Sequence, residues 1–151
     1  MLRLSKKADY ALMAVKHIAV KHDQASCSAR EIAEAYEIPL ELLAKVLQRL
    51  VRARLLISVQ GTRGGYRLSR AATTIAVADV IQAVDGPLTV TACSDDDHDC
   101  EQYSKCSIRD PLWKIRSRIV EALTSVSVAD LTDEPVAVRP AATPMTFLTN
   151  H

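Results

Sequence analysis

Leu40, Leu43, Leu47, Leu50 and Val51 form an apolar stripe at helical spacing, and just beyond it the pattern changes to short β-type runs punctuated by glycine. Such a stripe specifies an amphipathic helix lying on a core, over about residues 39–52. The runs at 55–60 and 66–70 read as two strands joined by Gly61-Thr-Arg-Gly-Gly65, whose paired glycines permit the positive-φ turn of a hairpin. A helix that passes straight into a glycine-tipped hairpin admits few architectures. The expectation is a mainly α fold with a small β-hairpin, a winged helix-turn-helix in which the hairpin is the wing.

The upstream segments fit that layout. Residues 5–21 are rich in Ala, Leu, Met, Val and Ile on more than one face, as in a helix buried against both its own domain and a partner. Ser28-Ala-Arg-Glu31 has the form of a capping box, in which Ser28 accepts from the Glu31 amide and the Glu31 carboxylate reaches back. The second helix ends near Glu37-Ile38, and Pro39 suits the first position of the third, where its missing N–H costs nothing. On the polar side of that third helix stand Glu41, Lys45, Gln48 and Arg52, with Arg49 beside them.

A net charge of +1 conceals a strong segregation. From Leu42 to Ala78 there is no acid, while Lys45, Arg49, Arg52, Arg54, Arg63, Arg67 and Arg70 all fall there. Asp95, Asp96, Asp97, Asp99 and Glu101 crowd a later loop. An uninterrupted basic block on a helix-turn-helix pattern is the footprint of a double-stranded DNA partner. Lys45, Gln48 and Arg49 have the chemistry for guanine and adenine edges, and Glu41 can accept from cytosine N4 or serve as a helix-dipole partner. Ser28 can bond a phosphate from its helix N-terminus, although capping alone explains it. Arg63, at the wing tip with Gln60 and Thr62, suits a minor groove or phosphates, and Arg52 extends the polar face.

Further along, residues 77–85 read as a fourth helix stopped by Gly86 and Pro87. Asp110-Pro111 supplies an N-cap and first-turn proline for a long helix. In it Leu112, Ile115, Ile119, Ala122 and Val126 alternate by three and four, the seam of a coiled coil. That seam is too short to hold a homodimer without help from the first helix; the alternative is a helix packed on its own core. The organisation expected is a DNA-binding domain over 1–86, a cysteine loop over 87–109, a dimerisation helix over 110–131 and a flexible tail over 132–151.

The loop carries Cys93, Cys100 and Cys106, with gaps of six and five residues. The N-terminus is too polar for a signal peptide and no apolar run suits a bilayer, so a cytoplasmic chain with no membrane partner is expected. In that reducing compartment, gathered thiols bind metal or do redox chemistry. Iron–sulfur, zinc and a cluster-free thiol switch all remain open, although the gaps lack the C-x2-C knuckle of most structural zinc sites. Cys27 reads as a core residue, and His17 and His22 as helix-face residues. No Ser/His/Asp set, phosphate-binding glycine loop or HExxH motif argues for an enzyme. A scaffold that binds no DNA is the remaining alternative class.

Lys7-Ala-Asp-Tyr-Ala-Leu12, Gly61-Thr-Arg-Gly-Gly-Tyr-Arg-Leu68, Ala78-Asp-Val-Ile-Gln-Ala-Val-Asp-Gly86 and the cysteine loop together resemble the winged-helix regulator family of IscR and NsrR. The likeness covers about residues 1–131, and the Asp85-Gly-Pro-Leu88 junction is most similar to regulators of the SUF cluster-assembly system. It implies a homodimeric repressor of a pseudo-palindromic operator, with Cys93, Cys100 and Cys106 holding an iron–sulfur cluster, 2Fe-2S in preference to 4Fe-4S. The first gap is longer than the family's, and Arg109 stands where IscR-like members place a ligating histidine. Asp9 matches the fourth ligand of NsrR-like members, donated across the dimer, and His98 is the second candidate. Ala44-Lys45 replaces a Glu-Gln pair of IscR, so the IscR operator does not carry over to this chain.

Overall fold

The computed structural model describes residues 3–21, 26–90 and 100–133, which form helices around one hairpin. Helix α1 (Lys6–Val20) is the central element, packed against α3, α4, α6 and the hairpin. Ala8, Ala11, Ala14, Val15 and Ile18 are its buried side, and the three alanines let neighbouring backbones approach closely. Ser5 caps it by accepting from Ala8 N (3.1 Å) and donates to Asp85 Oδ1 (2.7 Å), joining the start of α1 to the end of α4.

Helix α2 (Ala29–Tyr36) ends at Glu37, whose left-handed backbone (φ 54°) makes the tight turn into α3 (Leu40–Arg52). Leu43, Val46, Leu47 and Leu50 form the buried side of α3. The stripe read from sequence is rotated slightly: Val46 enters the core, while Leu40, 39% exposed, lies outside it. Each fully buried aliphatic side chain contributes about 1.5–3 kcal/mol relative to exposure.

Strands β1 (Leu56–Val59) and β2 (Gly65–Leu68) pair antiparallel, with Leu56 opposite Leu68 and Val59 opposite Gly65. Cys27 adds a third rung: its N–H donates to Tyr66 O (3.0 Å) and its carbonyl accepts from Tyr66 N (2.8 Å). The wing glycines work differently from the sequence reading. Only Gly61 has positive φ (119°) within the hairpin. Gly65 is needed because a Cβ would collide with the Cys27 carbonyl, and at Gly64 one would lie 2.7 Å from Val59 O.

After a 3-10 turn at Ala72–Thr74, α4 (Val77–Asp85) buries Val77, Ala78, Val80, Ile81 and Val84 and stops at Gly86 (φ 80°). Helix α5 (Arg109–Ser125) starts ahead of the expected Asp110 cap, and Asp110 instead accepts from Arg109 Nε at 3.1 Å. Helix α5 spans nearly the same residues as the long helix read from Pro111 to Val126, and the remainder of the 110–131 segment departs from it. Val126 is extended and accepts from Val77 N, Val128 N donates to Ile75 O (both 2.8 Å), and a short α6 (Val128–Thr132) begins behind a Ser127–Asp130 cap. Val128 is fully buried against the head, so the backbone here turns back to pair with the head and cannot continue as an arm. The rest of the expected tail, residues 134–151, lies outside the described residues.

No residue of α5 is buried. Leu112 and Ile119 are half-buried, Ile115 and Trp113 are 46% and 44% exposed, and Leu123 reaches the core only at the far end. The helix therefore leans on the head, with Arg116 Nε donating to Leu88 O at 2.8 Å, without being absorbed into its core.

Gly65→Ala should cost about 1–3 kcal/mol through the overpacked Cys27 carbonyl. Thermal unfolding would measure it, and an unchanged midpoint would mean that the wing is not held by this bridge. Ser127 bonds hold the Asp130 carboxyl below the usual range, so the α6 cap should persist above ordinary carboxylate pKa values. It should fail as pH falls through the lowered value, whereas Asp130→Asn should abolish this acid dependence.

Candidate nucleic-acid interface and cysteine loop

On α3, Glu41, Lys45, Gln48, Arg49 and Arg52 are all exposed. At the helical advance of about 100° per residue, Glu41, Lys45, Gln48 and Arg52 share one face, and Arg49 is turned towards one edge of it. That turn has a consequence. Arg49 Nη1 donates to Val84 O at 2.6 Å, so its cation sits at the C-terminal end of α4 and satisfies one of the carbonyls left open there. The sequence assigned Arg49 to base edges; in the fold its nearest partner is internal. Arg49 and Arg52 also border an open cleft of about 600 Å³ with Gln82, Val84 and Asp85.

At the wing tip Gln60, Thr62 and Arg63 are exposed, and the Arg63 carbonyl accepts from Ser26 Oγ at 2.5 Å. The tip is thereby tied to the segment preceding α2, which holds recognition helix and wing in one frame. Ser28 is half-buried with its oxygen accepting from Glu31 N at 3.1 Å, leaving only its O–H for any phosphate.

The other half of the expected capping box is absent. Glu31 Oε1 instead meets His17 Nε2 (3.2 Å) and Lys21 Nζ (2.5 Å). His17 Nδ1 lies 3.2 Å from Tyr36 Oη, with the two rings edge to face. The Lys21 bond, then His17, holds the Glu31 carboxyl below its usual range, and Glu31 in turn raises Lys21. Burial, reinforced by Glu31, pushes the Cys27 thiol up. His17 is thus no bare helix-face residue: its side chain is only 10% exposed and joined on both nitrogens. His22 lies outside the described residues. Only the His17–Lys21 spacing, one helical turn, could have hinted at this cluster, because Glu31 and Tyr36 arrive from another helix.

Cys93 and His98 lie outside the described residues. Cys100 and Cys106 are free, partly exposed thiols separated by a 3-10 turn at Tyr103–Lys105. The Arg109 guanidinium stands 4.7 Å over the Tyr103 ring and bonds Asp110, fastening that turn to the first turn of α5. Arg109 cannot ligate a metal, having no lone pair to give. Asp9 is exposed in the first turn of α1. Free soft donors in a surface loop suit a thiolate-bound group.

Residues 4–134 match the Rrf2 family, described as iron-dependent transcriptional regulators. The chain belongs to that family. It is 34% identical over 137 residues to the HTH-type transcriptional regulator IscR of Vibrio parahaemolyticus, spanning 89% of this chain and 80% of that one. Among solved structures it superposes on CymR, the global cysteine regulator of B. subtilis, with a TM-score of 0.71 at 28% identity, covering 87% of this chain and 97% of CymR. The IscR of T. potens gives 0.68 at 28% identity, over 86% and 85% of the two chains. This Rrf2 protein is a DNA-binding transcriptional regulator with the winged-helix fold of its relatives.

Arg49→Ala should lower the stability of this Rrf2 head by about 1 kcal/mol through loss of the Val84 bond. Lys45→Ala should stay within about 0.5 kcal/mol. Denaturant unfolding of both variants distinguishes the roles; equal stabilities would leave Arg49 with no structural part.

Proposed function

We propose that the protein is a homodimeric repressor, active in the cytoplasm, that reads a pseudo-palindromic operator and responds to iron–sulfur or redox status through its cysteine loop. The observation that carries the DNA reading is the α3 face: Glu41, Lys45, Gln48 and Arg52 stand exposed beside the wing-tip residues Gln60, Thr62 and Arg63, within the acid-poor basic stretch. Lys45 and Arg52 would meet phosphates or guanine, Gln48 an adenine edge, and Glu41 a cytosine amine, while Arg63 enters the flanking minor groove. Ser28 adds a phosphate contact from the start of α2. Arg49 contributes charge at the edge of the same face while holding α4.

A dimer sets two such helices about 34 Å apart in successive major grooves. The half-exposed Ile115, in the three-and-four seam of α5, favours a second copy as its partner, since the head leaves it uncovered. No helix among the described residues is long and apolar enough to cross a membrane.

Cys93, Cys100 and Cys106 would hold an iron–sulfur cluster, 2Fe-2S in preference to 4Fe-4S, with Asp9 of the partner subunit or His98 as the fourth ligand. When bound, such a group supplies a thiolate-held centre whose loss or oxidation reports on the cell. The chain's own contribution is mechanical. Because Arg109 clamps Tyr103 and opens α5, ordering of the 100–106 segment orders the first turn of the dimer helix. The spacing of the two heads then depends on the loop.

Lys45→Ala should weaken operator binding at all salt concentrations and flatten its salt slope by about 1, whereas Gln48→Ala should relax preference at one base pair by about 1–3 kcal/mol. Fluorescence anisotropy on operator and scrambled duplexes would measure both, and wild-type binding by both variants would remove α3 as the reading helix. Protein purified without oxygen should contain iron and acid-labile sulfide in matching amounts, and Cys100→Ala should lose both yet remain dimeric. Zinc alone would make the loop structural, and a metal-free loop would point to a thiol switch.

A further inference from the structure

We infer that His17, Cys27 and Glu31 form a mononuclear site for a borderline-soft divalent cation, zinc being the best match, separate from the cysteine loop. Their donor atoms, an imidazole nitrogen, a thiol sulfur and a carboxylate oxygen, all lie within 4.8 Å of one another. Tetrahedral zinc with nitrogen, oxygen and sulfur ligands needs donor separations of about 3.3–3.8 Å, so the three must close by only about 1 Å. Nitrogen, sulfur and oxygen together are a donor set that such a cation accepts and that magnesium or calcium does not favour.

Each ligand is already aimed. His17 Nε2 faces Glu31 Oε1 at 3.2 Å, while Nδ1 lies 3.2 Å from Tyr36 Oη. A hydroxyl both gives and accepts a proton, so Tyr36 supports either imidazole tautomer. With Nδ1–H donating to Tyr36, the Nε2 lone pair is left for the metal, the outer partner that ligating histidines commonly have. Cys27 is held at both its backbone N–H and carbonyl by the Tyr66 backbone, and its side chain is buried.

The Lys21 ammonium marks the same spot as a cation position, standing 2.5 Å from Glu31 Oε1. Its side chain is 36% exposed and long, so it can swing into solvent when a metal takes its place. On binding, the Cys27 thiol passes its proton to solvent, and one thiolate and one carboxylate balance the two charges of the ion. Water would fill the fourth position, on the solvent side of Glu31. The site would join α1, the first turn of α2 and the Cys27 bridge that pairs with β2, making the set of the wing against the recognition helix responsive to zinc. It rests on none of the loop cysteines.

The test uses the full chain carrying Cys93→Ser, Cys100→Ser and Cys106→Ser, titrated with Co²⁺ alone while thiolate-to-cobalt charge-transfer absorption is followed. The expected result is a band that saturates at one cobalt per chain and is lost in both Cys27→Ala and His17→Gln on that background, with folding checked by far-UV circular dichroism. Tyr36→Phe should keep the band and weaken affinity about tenfold or more. Absence of the band in the serine background, or its survival in His17→Gln and Cys27→Ala, overturns the site. Should Cys27→Ala not fold, His17→Gln decides. Should the serine background not fold, the wild-type chain must bind one cobalt more than its His17→Gln variant, and equal stoichiometry overturns the proposal.

Discussion

Close approach along α1 is the condition on which the rest of the molecule depends. Ala8, Ala11 and Ala14 are fully buried, and their small side chains let α3, α4 and α6 converge on one helix. Larger residues there would push the neighbours outward and separate the recognition helix from the element that supports it. The Ser5–Asp85 hydrogen bond and the Arg49–Val84 bond then lock α4 to both α1 and α3. The orientation of α3 is therefore set from behind, by contacts on the side away from its exposed polar face.

A second frame holds the wing. A two-stranded ribbon alone is marginal in water, and the Cys27–Tyr66 bridge anchors this one to the segment preceding α2. This explains the glycine pair: Gly64 and Gly65 leave room for neighbouring carbonyls, and Gly61 alone supplies the unusual backbone angle. Ser26 repeats the tie at the wing tip through the Arg63 carbonyl. The wing is thus tied at two points to the segment that leads into α2.

Polar groups in this head were chosen for geometry that no short motif reveals. The Glu31 carboxylate joins His17 and Lys21 instead of closing the box, and Arg49, at the edge of the polar face, reaches back to cap α4. In both cases the deciding partner comes from a different helix. Burial then adds its own effect, turning Cys27 from a simple apolar filler into a thiol surrounded by an imidazole and a carboxylate.

The amphipathic stripe of α3, the hairpin, the stop at Gly86 and the segregated charge were all legible in the chain, because each arises from neighbours a few residues apart. The helix-turn-helix and the exposed reading face followed from them. Shifts within elements were less legible: Val46 replaced Leu40 in the core, and the α5 seam ended at Ser125 because residues 126–128 pair with 75–77. Sequence alone determined which segments become helix and strand and which surface is basic, since local periodicity and charge decide those. Only the tertiary structure decided that Arg49 is a strut, that α6 returns to the head, and that His17, Cys27 and Glu31 share one corner. Those outcomes depend on distances between residues far apart in the chain, and such distances exist only once the core has closed.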